Sequence, residues 1–162
     1  MGKRPGIALI PHVNIEITPK SHLAPLLKRA LLLALGRDRG EVSVRLLSAR
    51  PMRALNKASL GHDYATDVLS FDHGQTPEGR LLEIVVCPEV AKREAKARGI
   101  APEQELTRYV VHGALHLLGH DDHEPGAKQK MWRAQERVMK KLFGSGYDTD
   151  EISPHRAEPR AD

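Results

Sequence analysis

One domain built from both strands and helices is what this sequence predicts, and three observations carry that reading. The chain has 162 residues, close to the roughly 150-residue size of one domain and too short for two comfortable cores. Its composition, 40% apolar and 28% charged with 13 Gly and 11 Pro, is that of an ordinary globular protein and not of a disordered or fibrous one. Strand-like and helix-like periodicities alternate along the chain, with no internal repeat.

Each element has its own signal. Residues 7–15, with Ile7, Leu9, Val13 and Ile15, predict a first strand in which Pro11 suits an edge or a bulge. A helix follows: Ser21 is the expected cap, Pro25 sits in its first turn, Leu26, Leu27, Ala30, Leu31 and Ala34 form the apolar stripe, and Gly36 ends it. Val42, Val44 and Leu46 alternate with polar residues in a second strand, after which Ser48 is expected to cap a short helix through about residue 56. The runs 67–71 and 81–87 predict paired third and fourth strands around a loop at 73–79. Three helices complete the domain: 89–98 closed by Gly99, about 102–118 stopped by Gly119, and 125–143 before Gly144. The polar, Pro-broken stretch 148–162 is expected to be a disordered tail to a domain spanning 1–147.

Several functional classes are disfavoured by what the chain lacks. The apolar run 30–35 falls far short of the ~20 residues of a membrane helix. Cys87 is the only cysteine, so an intramolecular disulfide and a multi-cysteine zinc site are excluded. With no signal-peptide pattern at the N-terminus, a cytoplasmic location is expected. The net charge of +4 is unevenly spread: residues 1–57 carry +8, 58–127 carry −6 and 128–162 carry +2. A basic front third suits a polyanion and an acidic middle suits a cation.

That acidic middle holds the chemistry. Of nine histidines, His112, His116, His120 and His123 fall within the segment VHGALHLLGHDDHE. Residues four apart on a helix stand one above the other, about 5–6 Å between Cβ atoms, so His112 and His116 can share one ion. His120 continues the series, but eight residues of straight helix rise about 12 Å, which takes it out of reach. If Gly119 turns the chain back, His123 becomes the expected third ligand, with Asp121, Asp122 and Glu124 as acceptors that fix imidazole tautomers. His12, His22, His62, His73 and His155 are read as loop or surface histidines.

Three imidazoles on Zn²⁺ leave a fourth position open to water, which is the catalytic arrangement and implies hydrolysis. Helical zinc peptidases of the HExxH type place a general-base glutamate directly after the first histidine; here that position is Gly113. Peptide cleavage is therefore disfavoured, and a phosphodiester, whose anionic transition state a metal stabilises, is the better substrate.

The run 112–123 resembles the HGxLHLxGYDH signature of the YbeY family, metal-dependent endoribonucleases of ribosomal RNA maturation and ribosome quality control. Leu55, Asn56, Asp63, Thr66, Asp67, Val68, Leu69, Ser70 and Phe71 are similar to its LN…KDxPT(D/N)VLSF segment, and Ile84, Val85, Val86 and Cys87 to its GDIVIC strand. Departures are present as well. The signature has one residue fewer before its last histidine, Leu60 and His62 stand at the usual arginine and lysine, Ala65 replaces a proline, and Glu83 stands where aspartate follows glycine.

The resemblance implies an α+β fold, a four-stranded mixed sheet flanked by helices with a zincin-like histidine helix packed on it. It also implies a zinc-dependent, single-strand-type endoribonuclease acting on ribosomal RNA and the small ribosomal subunit, with one Zn²⁺ held by His112, His116 and His123. Neither membrane nor DNA is an expected partner. With Leu60 in place of arginine, Arg45, Arg50 and Arg53 become the candidate phosphate contacts. One Trp, three Tyr and two Phe leave little for base stacking, so backbone contacts and steep salt dependence are expected. A ribosome-assembly module with structural zinc is the alternative, and a metalloprotease a more distant one.

Overall fold

In the computed structural model, which describes residues 13–36, 40–77, 79–144 and 147, four strands and five helices form the fold. The sheet has the order β1-β2-β4-β3, with β1 (Val13–Thr18), β2 (Gly40–Leu46) and β4 (Gly79–Val86) parallel and β3 (Val68–Thr76) antiparallel to β4. The mixed sheet follows from connectivity. Parallel neighbours need a crossover, and α1 (Ala24–Leu35) supplies the one between β1 and β2. The third and fourth strands are joined by a short turn and so pair antiparallel.

Most predicted elements stand where the periodicity placed them, with shifted ends. Residues 7–12 of the expected first strand and the tail 148–162 lie outside the described residues. Ser21 does not cap α1 directly: Leu23 is the cap residue, and the Ser21 hydroxyl accepts from the Leu23 N–H at 3.1 Å, one residue before the helix. The helix after Ser48, α2 (Ala49–Leu60), continues a full turn past residue 56, until Gly61 ends it at φ 74°. Buried Asn56 is the reason the turn is held, since its amide donates to the Tyr64 carbonyl at 2.9 Å and ties the following loop to the helix.

The expected loop at 73–79 is largely strand. β3 runs on to Thr76 through an irregularity between Asp72 and Gln75, where the Asp72 carboxylate accepts the Gly74 N–H at 2.9 Å. Turn-forming residues thus build a bulge inside a ladder that resumes beyond it.

The central helix is α4 (Pro102–Leu117), lying between the β3–β4 face of the sheet and helices α1, α3 (Pro88–Arg98) and α5 (Pro125–Phe143). Leu106, Tyr109, Val110, Ala114 and Leu117 are all buried on one face, as are Val111 and Leu115 on its other flank. A helix covered on several sides loses the simple amphipathic pattern. It packs directly on the sheet at Gly113, where a β-carbon would lie 2.8 Å from Ser70 Oγ, 3.0 Å from Val68 Cγ2 and 3.1 Å from Ile84 Cγ2. The Ser70 hydroxyl donates to the Gly113 carbonyl at 3.1 Å, fastening helix to strand there. Among the described residues no helix is long and apolar enough to cross a membrane.

Candidate metal centre

The last two turns of α4 bring His112 and His116 together at the floor of an open cleft of about 390 Å³. The cleft is walled by Val68, Leu69, Ser70 and Phe71 of β3, by Asp67 before that strand, by Leu60 at the end of α2, and by Asp122. The two imidazoles meet edge to face, with their Nε2 atoms 3.1 Å apart.

Hydrogen bonds at the other side of each ring decide what those Nε2 atoms can do. The Nδ1 of His116 faces the carbonyl of His120 at 3.0 Å, and a carbonyl only accepts. The Nδ1 of His112 faces Oε1 of Gln135 at 2.9 Å, and that amide is oriented by its own Nε2, which donates to the Glu136 carboxylate at 3.2 Å. In its neutral form each ring therefore carries its proton on Nδ1 and turns a bare Nε2 into the cleft. Asp122 Oδ2 joins them at 3.4 Å from His116 Nε2 and 3.8 Å from His112 Nε2. Three acceptors converge on one point, an arrangement that repels itself unless a cation sits among them.

The spacing suits one ion. Donors about 2.0–2.1 Å from a tetrahedral Zn²⁺ lie roughly 3.3–3.4 Å from one another, close to the distances among these three atoms. Burial, and then the neighbouring His116, hold the His112 imidazole below the usual histidine range, so it stays neutral and available as a ligand.

The other expected site residues lie elsewhere. The chain reverses at Gly119, as anticipated, with φ 94°, but it delivers Asp122 to the histidine pair. His123 sits one residue further round the turn, where the Asp121 carboxylate accepts its backbone N–H at 2.9 Å; its side chain is 87% exposed and faces Asp121. Asp122, expected as a supporting acceptor, thus stands among the converging donors, and His120 contributes its carbonyl. The signal for this was present in the spacing: H-x-x-x-H-x-x-G-x-x-H, counted without a gap from His112, ends on residue 122.

None of the three candidate arginines lines the cleft. Arg45 pairs with Glu83 at 3.3 Å across the β2–β4 ladder, Arg53 pairs with Asp63 at 2.8 Å, and Arg50 is exposed on α2. Leu60, at the position of the family's arginine, is 58% exposed at the cleft rim.

Gln135 had no sequence signal, because nothing in a helical pattern says which polar residue faces a neighbouring histidine. Behind it lies a buried polar network: Glu136 accepts from the Tyr147 hydroxyl, which accepts from Arg108 Nη2 at 2.8 Å, and Arg108 Nη1 donates to Glu105 at 2.6 Å. The ion pairs and the hydrogen bonds of Arg108 Nη1 and Nη2 let these charges sit in the core, while Arg108 Nε only approaches Glu136, at 3.6 Å.

A mixed four-stranded sheet carrying a helical histidine pair beside an acidic residue, in a cleft open to solvent, defines a candidate metalloprotein with room for a substrate. Comparison with known proteins then places it: the chain belongs to the family described as Endoribonuclease YbeY, whose profile matches residues 14–143. It is 40% identical over 116 residues to Endoribonuclease YbeY of Myxococcus xanthus, covering 68% of this chain and 40% of that protein. With the protein of that name from Bdellovibrio bacteriovorus it shares 45% identity over 95 residues, covering 59% of this chain and 62% of the relative. With that of Anaeromyxobacter sp. it shares 40% over 130 residues, 79% and 68% of the two chains. The matched region thus spans less than two thirds of the first two relatives. The solution structure of TM1509 from Thermotoga maritima has the same fold, with a TM-score of 0.60 at 27% identity over 90% of this chain and 99% of that one.

Proposed function

We propose that this protein is a metal-dependent endoribonuclease acting on ribosomal RNA in small-subunit maturation and ribosome quality control, with Zn²⁺ held at the His112–His116 pair. The observation that carries the reading is the convergence of two bare Nε2 atoms 3.1 Å apart in an open cleft, taken with membership of a family described as an endoribonuclease. A bound divalent ion would supply Lewis acidity towards a phosphodiester and an activated water. The protein's own part is to hold both imidazoles in one tautomer and to keep the cleft open on the β3 side. RNA backbone would be met outside the cleft by exposed cations of α2, Arg50, Arg53 and Lys57, and by Arg45, so binding should weaken steeply with salt.

Peptide hydrolysis of the HExxH type is a poorer fit than the sequence alone suggested. Residue 113 is buried against β3 and β4, where a β-carbon would lie 2.8–3.1 Å from Ser70, Val68 and Ile84, so a glutamate there would have to displace its neighbours. A ribosome-assembly module with structural metal is the second reading, favoured by the apolar Leu60 at the cleft rim and by the carboxylate partners of Arg45 and Arg53.

Metal content and RNA cleavage measured together separate the readings. Purified protein should carry about one metal ion per chain, and His112→Ala or His116→Ala should remove both the ion and the cleavage of structured ribosomal RNA. Equal cleavage by wild type and these variants would assign the activity to a contaminant. A metal-loaded protein that binds ribosomal subunits and cuts nothing would establish the assembly reading.

A further inference from the structure

We propose that Asp122, and not a third imidazole, completes the metal site, making it a two-histidine, one-carboxylate centre with narrower discrimination between Zn²⁺ and Mn²⁺ than three imidazoles would give. The inference rests on the reading that the His112–His116 pair binds a divalent ion, and it concerns which third residue meets that ion.

The turn after α4 dictates the choice. The His116 Nδ1–H donates to the His120 carbonyl at 3.0 Å, and the His120 N–H donates to the Leu115 carbonyl at 3.1 Å. These two bonds, with Gly119 at φ 94°, pin residue 120 against the helix end and so set the register of residues 121–123. Two residues on, Asp122 reaches back to the imidazoles, with its oxygen 3.4 Å and 3.8 Å from their Nε2 atoms and all donors within 4.8 Å of one another. His123 is absent from that group: its N–H is held by Asp121, its ring is 87% exposed, and its Nε2 lies 3.9 Å from the Asp121 carboxylate, in a second group with Asp121 and Asp122.

The donor set has a chemical consequence. A carboxylate oxygen is harder than an imidazole nitrogen and brings one negative charge, and hard oxygen donors suit Mn²⁺ and Mg²⁺ where imidazole suits Zn²⁺. Zinc still binds more tightly than manganese, as the general affinity order requires, but by a smaller ratio than a third histidine would allow.

The test uses the full-length protein stripped of metal and titrated calorimetrically with Zn²⁺ and with Mn²⁺, bound Mn²⁺ being followed by its electron paramagnetic resonance signal and folding by circular dichroism. Asp122→Ala and Asp122→Asn should weaken both ions by more than the roughly 10–100-fold of an outer-shell loss, whereas His123→Ala should leave both within about twofold. Asp122→His should retain zinc and widen the Zn²⁺/Mn²⁺ affinity ratio by about tenfold or more. Loss of binding in His123→Ala with retention in the Asp122 variants would overturn the assignment, as would an unchanged ratio in Asp122→His. Undiminished binding in His112→Ala would instead defeat the histidine-pair reading itself, and this assignment with it.

Discussion

Oε1 of Gln135 on α5 stands 2.9 Å from Nδ1 of His112 on α4, and through that contact one helix sets the tautomer of a histidine on another. Because Glu136 fixes the direction of the Gln135 amide, the oxygen has to face the ring. Replacing Gln135 with leucine removes the acceptor and leaves the proton free to move to Nε2, the nitrogen the cleft needs bare. Zinc affinity should fall about 10–100-fold, as for other outer partners of metal-ligating histidines. Competition with a chromophoric chelator measures it, and wild-type affinity in Gln135→Leu would dismiss the tautomer argument.

At Gly113 α4 packs directly on the sheet. Alanine at an ordinary helical position gains about 1 kcal/mol over glycine, but here its β-carbon would crowd Ser70, Val68 and Ile84 at 2.8–3.1 Å, and overpacking costs about 1–3 kcal/mol. The net expectation is that Gly113→Ala is less stable by about 1 kcal/mol, read from the urea midpoint. An increase in stability would mean that the helix can slide outward without loss.

Arg108 neutralises Glu105 and lies 3.6 Å from Glu136 in the core. Arg108→Met keeps the bulk and removes the buried cation between two carboxylates, leaving Glu105 with Arg98 at 3.5 Å and Glu136 with its Tyr147 and Gln135 donors, so unfolding free energy should drop by about 3 kcal/mol. The double replacement Arg108→Met with Glu105→Gln should recover part of that loss, and a double variant no better than the single one would show that the pair is not coupled.

Acid should destabilise the metal-free protein through His112. Its imidazole titrates below the usual range when folded, because of burial first and His116 second, and near 6.5 when unfolded. Between those two values the unfolded chain binds more protons, so stability is fully present above about pH 6.5 and declines as the pH falls through the window. Denaturation midpoints of wild type and His112→Gln, compared at pH 7.5 and pH 5.5, should show the steeper acid loss in the wild type. Parallel losses in the two proteins would place the acid-sensitive group elsewhere.

Local patterns were legible wherever one short-range rule dominated. Alternating valines placed β2, proline and glycine punctuation placed α3 and α5, and the four-residue histidine spacing placed the pair on one helix face. The same rules misplaced residues 73–79, since Asp72 and Gly74 form a bulge that only pairing with β4 makes worthwhile. They also could not show which side chain of the turn lies nearest the pair, because a turn's direction depends on bonds the pattern does not contain. Here those bonds run from His116 to the His120 carbonyl and from His120 to Leu115, and they present Asp122.

What the sequence determined by itself was therefore the order of elements and the histidine pair, which rest on periodicity and spacing along the chain, and the family resemblance with the fold class it implies, which rest on the residues of the matching motifs. Tertiary structure alone decided that Gln135 orients His112, that Gly113 is a packing contact, that Arg45 and Arg53 face carboxylates, and that Asp122 joins the pair. The physical reason is common to all four: each depends on where a side chain from one element meets another, and that distance is set by packing and not by separation in sequence.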